Sequence, residues 1–314
     1  MARLPWVDTV RLSKNAFTSG SGPGTATEFS EARNRFRKVS TFEVTLWASG
    51  DSKTKAELAS IYHRSLRTAS DIGDPEPIGN SGIAWQPRLQ GSMGYAEAKK
   101  VFTSGDLQGD VNKYQTFAIQ FGGGGRFWFN DHLSLAPTFM GMYGHTKNLY
   151  TANNPNTQAI AGTVDEQLVN WHADTWTIRP AGNVQYVYTW HRTILTLSSD
   201  YTYYHTESFS SSTSLLNFNG DSDTWAAKID VDVPLKRMLW GHELRTGGYF
   251  SRTQFFDNLK SGTGTDHLYE IHPRLVLDFL GQLWKVQWIG IGGSYIWGGP
   301  ITGYAIGVDV AFRF

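Results

Sequence analysis

Charged residues in this chain recur at alternate positions of otherwise apolar stretches, and that spacing says where any chemistry must sit. Arg126, Arg179, Asp200, Lys228, Asp230, Asp232, Glu243, Arg245, Glu270, Arg274, Asp278, Lys285, Asp309 and Arg313 each lie beside an apolar, aromatic or small neighbour. Alternation with a period of two puts all fourteen on one face of extended chain. Both signs are present, so such a face forms either a self-satisfying polar wall or a filter for small polar solutes without strong ion preference. Catalysis would need a nucleophile and a base within hydrogen-bond reach. His272 shares the polar face with Glu270, and Ser198 with Asp200, but no spacing makes these a triad. The nine histidines show no metal-ligand spacing, and there is no cysteine for a thiolate site. His145, His205 and His267 fall instead on the apolar phase, near segment ends. The run Gly122 to Gly125 lacks the following Lys-Ser/Thr of a phosphate loop and indicates a bend or a close backbone approach. No cofactor is expected. With 28 basic and 28 acidic residues there is no global charge to draw nucleic acid.

The elements that carry these residues read as strands. Phe42, Val44, Leu46 and Ala48 alternate with Glu43 and Thr45, and strands follow over 83–89, 92–102, 113–129, 133–143, 174–190, 195–203, 225–233, 244–250, 269–279 and 284–288. The phase slips near Trp288-Ile289, which predicts a bulge. The chain closes on G-Y-A-I-G-V-D-V-A-F-R-F, with Tyr304, Ile306, Val308, Val310, Phe312 and Phe314 on one face. Between 53 and 68 the period changes: Leu58, Ile61, Tyr62, Ser65 and Leu66 predict a short amphipathic helix in an outer loop. Four prolines, Pro87, Pro137, Pro180 and Pro273, all fall on apolar faces, where a lost backbone donor needs an account.

About twelve strands result. Long polar loops near 50–77, 104–112, 147–173, 210–221 and 257–265 alternate with short connections near 90, 130, 191, 237 and 281. Long loops at one end and tight turns at the other are the signature of an antiparallel transmembrane barrel. Half of each strand is hidden from lipid, so a mean hydropathy of −0.34 does not argue against a membrane. A soluble sandwich would have to wrap the same alternation around an apolar interior. The fold expected is therefore all-β, a transmembrane β-barrel over 38–314, preceded by a leader or plug segment over 1–37. The leader is Gly- and Ser-rich at 19–27 and carries a capping box at Thr25-x-x-Glu28 before a basic stretch, so it reads as flexible chain or as a helix threading the lumen. No apolar signal core occurs in the first 30 residues, so Met1 is expected to begin a processed or recombinant form.

From Asp174 to Phe314 the order of aromatic-rich strands and the closing strand resembles the translocator barrels of autotransporters. The chain is most similar to the solitary, passenger-less members of that family. The resemblance implies a twelve-strand barrel in the bacterial outer membrane, C-terminus periplasmic, without enzymatic activity. It implies as partners the bilayer, lipopolysaccharide and the barrel-assembly machinery, engaged through the strand ending at Phe314. The segment 1–37 is too short for a secreted passenger. The function expected is a pore or translocator; a closed structural or adhesive barrel with partner-binding loops is the alternative, and an outer-membrane hydrolase a distant third. The sequence leaves the oligomeric state open.

Overall fold

The computed structural model describes residues 39–49, 57–72, 74–102, 107–166, 169–212, 217, 219–256, 260, 265–283, 286–299 and 301–313. The expected leader or plug over 1–37 and the candidate Lys285 lie outside them. Thirteen strands follow in order: β1 (Val39–Ser49), β2 (Glu57–Asp71), β3 (Glu76–Pro77), β4 (Ala84–Phe102), β5 (Val111–Trp128), β6 (Leu133–Thr151), β7 (His172–Trp190), β8 (Thr193–Ser211), β9 (Asn219–Leu239), β10 (His242–Phe255), β11 (His267–Leu283), β12 (Val286–Gly298) and β13 (Ile301–Arg313). One helix, α1 (Pro155–Val164), lies between β6 and β7. Every long strand pairs antiparallel with its neighbours, β2 pairs with β4, and β1 pairs with β13 from Val39↔Arg313 to Ser49↔Gly303. The ring therefore closes on twelve long strands, with β3 a small appendage on β4. Closure leaves no free sheet edge, a requirement of strands surrounded by lipid.

Burial shows which way the alternation points. Buried polar side chains outnumber buried apolar ones among the described residues, and the exposed set includes Phe121, Phe139, Trp190, Tyr201, Ile229, Ile291, Tyr304 and Ile306. An inverted distribution of this kind is stable only where the outside is apolar. On β13, Gly303, Ala305 and Gly307 are buried while Tyr304, Ile306 and Val308 face out.

Three local expectations are corrected. The stretch 53–68 is not a helix: β2 occupies 57–71, paired with β1 on one side and β4 on the other. Two complete ladders outweigh a local period of 3.6, because they satisfy the backbone of every residue they cross. There is no turn near 90, where Gln90 pairs with both Ala69 and Gly122 in an unbroken β4. The missed β2 and the divided β4 offset each other, so the strand count came out right. The connection expected over 147–173 is shorter, since β6 runs to Thr151, and it holds α1, started by Asn154, whose side chain accepts from the Asn156 N–H.

Other details resolve at the backbone. Gly122 and Gly124 sit where a Cβ would lie 2.1 Å from the Phe139 carbonyl and 2.0 Å from the Pro137 carbonyl, so β5 approaches β6 too closely for any side chain there. The glycine run is thus a close approach and not a bend. The bulge expected near Trp288 appears as a register shift between Val286 and Trp288, and it turns Trp288 inward against Val276. The prolines sit at gaps in their ladders. The β5–β6 pairing skips from Gly124↔Thr138 to Phe127↔Leu135 around Pro137, the β7–β8 pairing skips at Pro180, and the β11–β12 pairing skips at Pro273. Pro87 lies just past the last β2–β4 pair. On their other sides Pro87, Pro137 and Pro273 oppose Gly125, Gly182 and Gly248, which leave room for the ring. The missing donor of each proline thus falls where a ladder has already lapsed.

Candidate functional site

The candidate site is the inner wall. Extended backbone fixes which residues point inward, and closure brings side chains from strands two apart within reach of each other. Asp71 on β2 takes Arg88 of β4 at 2.7 Å and Arg126 of β5 at 3.5 Å. Arg126 also donates to the Gln185 side chain of β7 at 3.0 Å and lies 5.4 Å from the Trp128 ring. Beside it, Arg179 donates to Gln120 at 3.0 Å, Gln120 donates to Ser92 at 2.7 Å, and the guanidinium covers Tyr204.

A second group spans β9 to β11. Arg274 makes a bidentate pair with Asp230, 2.8 and 2.6 Å, and Arg245 donates through Nε to Asp232 at 2.5 Å. Arg245 also faces Glu243 at 3.7 Å, and Glu243 pairs with Arg192 from the β7–β8 turn. Asp200 accepts from Asn183 at 2.7 Å and lies within electrostatic reach of Lys228, Arg179 and Arg88. Arg88 is on β4, four places round the ring from β8, so the charges of this wall act on one another beyond adjacent strands.

A third group links β9 to β12. Lys228 sits over the Tyr249 ring at 5.1 Å, and Tyr249 stacks on His272 with centroids 4.8 Å apart. The Tyr249 and Ser294 hydroxyls both donate to Glu270 Oε1, at 2.8 and 2.5 Å, and His272 Nδ1 lies 2.7 Å from Ser294 Oγ. A hydrolytic relay would run from serine through histidine to the acid. Here the serine hydroxyl already donates to the carboxylate, and Ser198 and Asp200 lie on another strand.

Of the fourteen charged residues that alternation singled out, Arg126, Arg179, Lys228, Asp230, Asp232, Glu243, Arg245, Arg274 and Asp278 are buried on the inner wall, and Asp200, Glu270 and Asp309 are half-buried. Arg313 ends β13 beside Val39. Sequence reasoning missed Asp71, Arg88, Gln120, Gln185, Arg192 and Ser294. Arg88, Gln120 and Gln185 carried the alternation that places them on polar faces, whereas Asp71, at the end of β2, was hidden because its strand was not recognised.

The outward histidines lie at the rim. His145 Nδ1 is 2.7 Å from Asp174, which also accepts from Tyr143 at 2.6 Å, and His205 and Tyr203 share Asp221 in the same way, at 2.7 and 2.6 Å. His267 Nδ1 is 2.5 Å from Asp266. Among the described residues no three His or acidic groups are placed to hold a metal, and no helix is long and apolar enough to cross a membrane.

At the rim reached by the C-terminal end of β6, Asp110 anchors the longest connection. It accepts from the Asn153 and Asn154 N–H groups at 2.7 and 2.8 Å and from the Tyr150 hydroxyl. Burial raises its carboxyl, but these hydrogen bonds and one from Thr157 outweigh that and hold it below the ordinary aspartate value.

Solved structures share this architecture at low sequence identity. The β domain of the Bordetella autotransporter BrkA superposes with a TM-score of 0.57 at 11% identity, over 88% of this chain and 100% of that one. The transport unit of the autotransporter AIDA-I from Escherichia coli gives 0.56 at 9%, over 98% and 97%. The translocator domain of the autotransporter NalP from Neisseria meningitidis gives 0.57 at 10%, over 98% and 94%. No curated protein sequence matches this chain. Residues 77–307 match the family described as the solitary outer membrane autotransporter beta-barrel domain. With an inverted burial pattern, a closed twelve-strand ring and that match over most of its length, the chain belongs to the solitary outer-membrane autotransporter β-barrel family.

Proposed function

We propose that this outer-membrane barrel is a translocator-type pore for small polar solutes or extended polypeptide. The observation that carries the reading is the inner wall: among the described residues, charged side chains of both signs from β2, β4, β5 and β7–β11 line it and meet across strands, while β6 adds Ser134, Thr138, Thr146 and Asn148 beside Ala136, Met140 and Met142. A wall of balanced, hydrogen-bonded charge suits a polar passenger and offers little ion selectivity. Residues 1–37 act as a removable plug ahead of a single barrel over 38–314. The C-terminus lies in the periplasm, because the connections on that rim include two-residue turns at 191–192 and 240–241, whereas the opposite rim carries the 152–171 connection. The closing strand addresses the barrel to the assembly machinery through its end at Phe314. The barrel has no catalytic role.

Single-channel conductance in a planar bilayer tests this, comparing the full chain with one lacking residues 1–37. Steady conductance only after truncation is the expected result. Silence from both, with the barrel folded by circular dichroism, would overturn the pore and favour a closed barrel that works through its loops.

A further inference from the structure

The outward face changes character at one level on four neighbouring strands. On β6 the outward residues from Leu133 to Tyr143 are Leu133, Leu135, Pro137, Phe139, Gly141 and Tyr143, followed by His145 and Lys147. Those eleven residues, tilted, match the thickness of the hydrocarbon core. The register carries the same boundary sideways. Tyr95, Phe117, His145 and Asp174 form one cross-strand row, and Glu97, Gln115, Lys147 and His172 form the next. Lys99 and Lys113 pair in the row beyond. Lysines and histidines thus stand at headgroup depth directly above an aromatic belt.

The acids of this arc are engaged locally. Glu97 accepts from Lys113 at 3.0 Å, Gln115 at 2.9 Å and Tyr95 at 2.8 Å, and Asp174 takes Tyr143 and His145. Lys99, Lys147 and His172 have no acid partner at bonding distance among the described residues. The adjoining arc carries acids and no lysine, with Glu207 on β8 and Asp221 and Asp223 on β9 at the same rim, the two aspartates engaged by Tyr203, His205 and Tyr201 as Asp174 is by Tyr143 and His145. Among the described residues, outward lysines stand at this rim only over β4–β7; the other outward cation there, Arg252 of β10, donates to Gln254.

We propose that the outward face of β4–β7 at this rim binds the phosphates of a phosphorylated glycolipid of the outer leaflet. Lys99, Lys147 and His172 meet the phosphates, and the acyl chains lie on Tyr95, Phe117 and Tyr143. The choice of leaflet rests on the orientation proposed above; the phosphate chemistry does not.

The test uses the full chain in zwitterionic detergent, with native mass spectrometry counting retained lipid during titration. The probes are a bis-phosphorylated glycolipid, its dephosphorylated form and phosphatidylglycerol. The bis-phosphorylated lipid should be retained selectively, a comparison that needs no variant. Replacing Lys99→Gln, Lys147→Gln and His172→Gln together should weaken it about 30-fold, at roughly a factor of five per lysine. Glu207→Gln on the other arc should change it less than about twofold. Equal retention of the dephosphorylated lipid or of phosphatidylglycerol, an unchanged triple variant that still shows heat-modifiable mobility, or a second copy of the chain in place of lipid would each overturn the proposal. Selective retention combined with surface labelling that puts this rim inside the cell would overturn the outer-leaflet source while leaving the orientation as the failed step.

Discussion

Arg274 and Asp230 show what a single inner-wall pair contributes. Both are almost fully buried and their contact is bidentate, so neither charge has water as a ready alternative. Removing one partner is more damaging than removing both, because the survivor keeps its charge without its counter-ion. Arg274→Ala should therefore lower stability to urea unfolding in lipid by about 3 kcal/mol. The double variant Arg274→Gln with Asp230→Asn should recover much of that loss. Equal loss in the two would mean that the pair is screened by lumen water. At this scale the sequence was informative where alternation held. Arg274 and Asp230 are legible as inward residues from their neighbours alone. That they meet across an intervening strand is not, since contact between strands two apart depends on barrel curvature and register.

Connections are the scale at which charge and backbone work together. Asp110 brackets the start of α1 with two backbone N–H donors, and its placement there also favours the positive end of the helix. Its folded value is depressed, so its contribution is present above the ordinary aspartate value of about 3.9 and is lost as pH falls through the folded value. Protease nicking of the 152–171 connection should accordingly rise below about pH 4. Asp110→Asn should raise it at neutral pH, where the unpaired N–H groups cost about 1–3 kcal/mol. Nicking that is flat from pH 7 to 3 would show that α1 is held by other contacts. Sequence reading placed this connection but not its helix, because Asn154-Pro155 starts α1 with a cap and a proline, residues that equally signal a turn. The opposite error, a helix where β2 lies, has the same root: a local period of five apolar residues says nothing about two ladders waiting on either side.

At the scale of the whole molecule, the inverted burial was legible because strand alternation is the same whichever side faces lipid, and the alternation of long and short connections decided between the two. The membrane orientation extends that argument. The chain contains no cysteine, so a single cysteine introduced at Leu149 or at Trp240 reports one rim without background. Both side chains are exposed, and they lie at opposite ends of the barrel. An impermeant thiol reagent added to intact cells should label Leu149→Cys and leave Trp240→Cys untouched until the outer membrane is opened. The reverse pattern would invert the orientation and make the long connections periplasmic.

The seam between the first and last long strands has a further consequence. Val39 lies directly opposite Arg313, so the two ends of the ring emerge side by side on one rim, and the eleven pairs between them are like those of the other seams. A short linker joining these ends would be a hairpin turn of the kind found elsewhere on that rim. The order in which the strands are written along the chain is then a convention of the gene and not a demand of the ring. Refolded in detergent, where no assembly machinery reads the last strand, circular permutants opened in the 152–171 connection would rebuild the same cylinder with β7 as the first strand and β6 as the last.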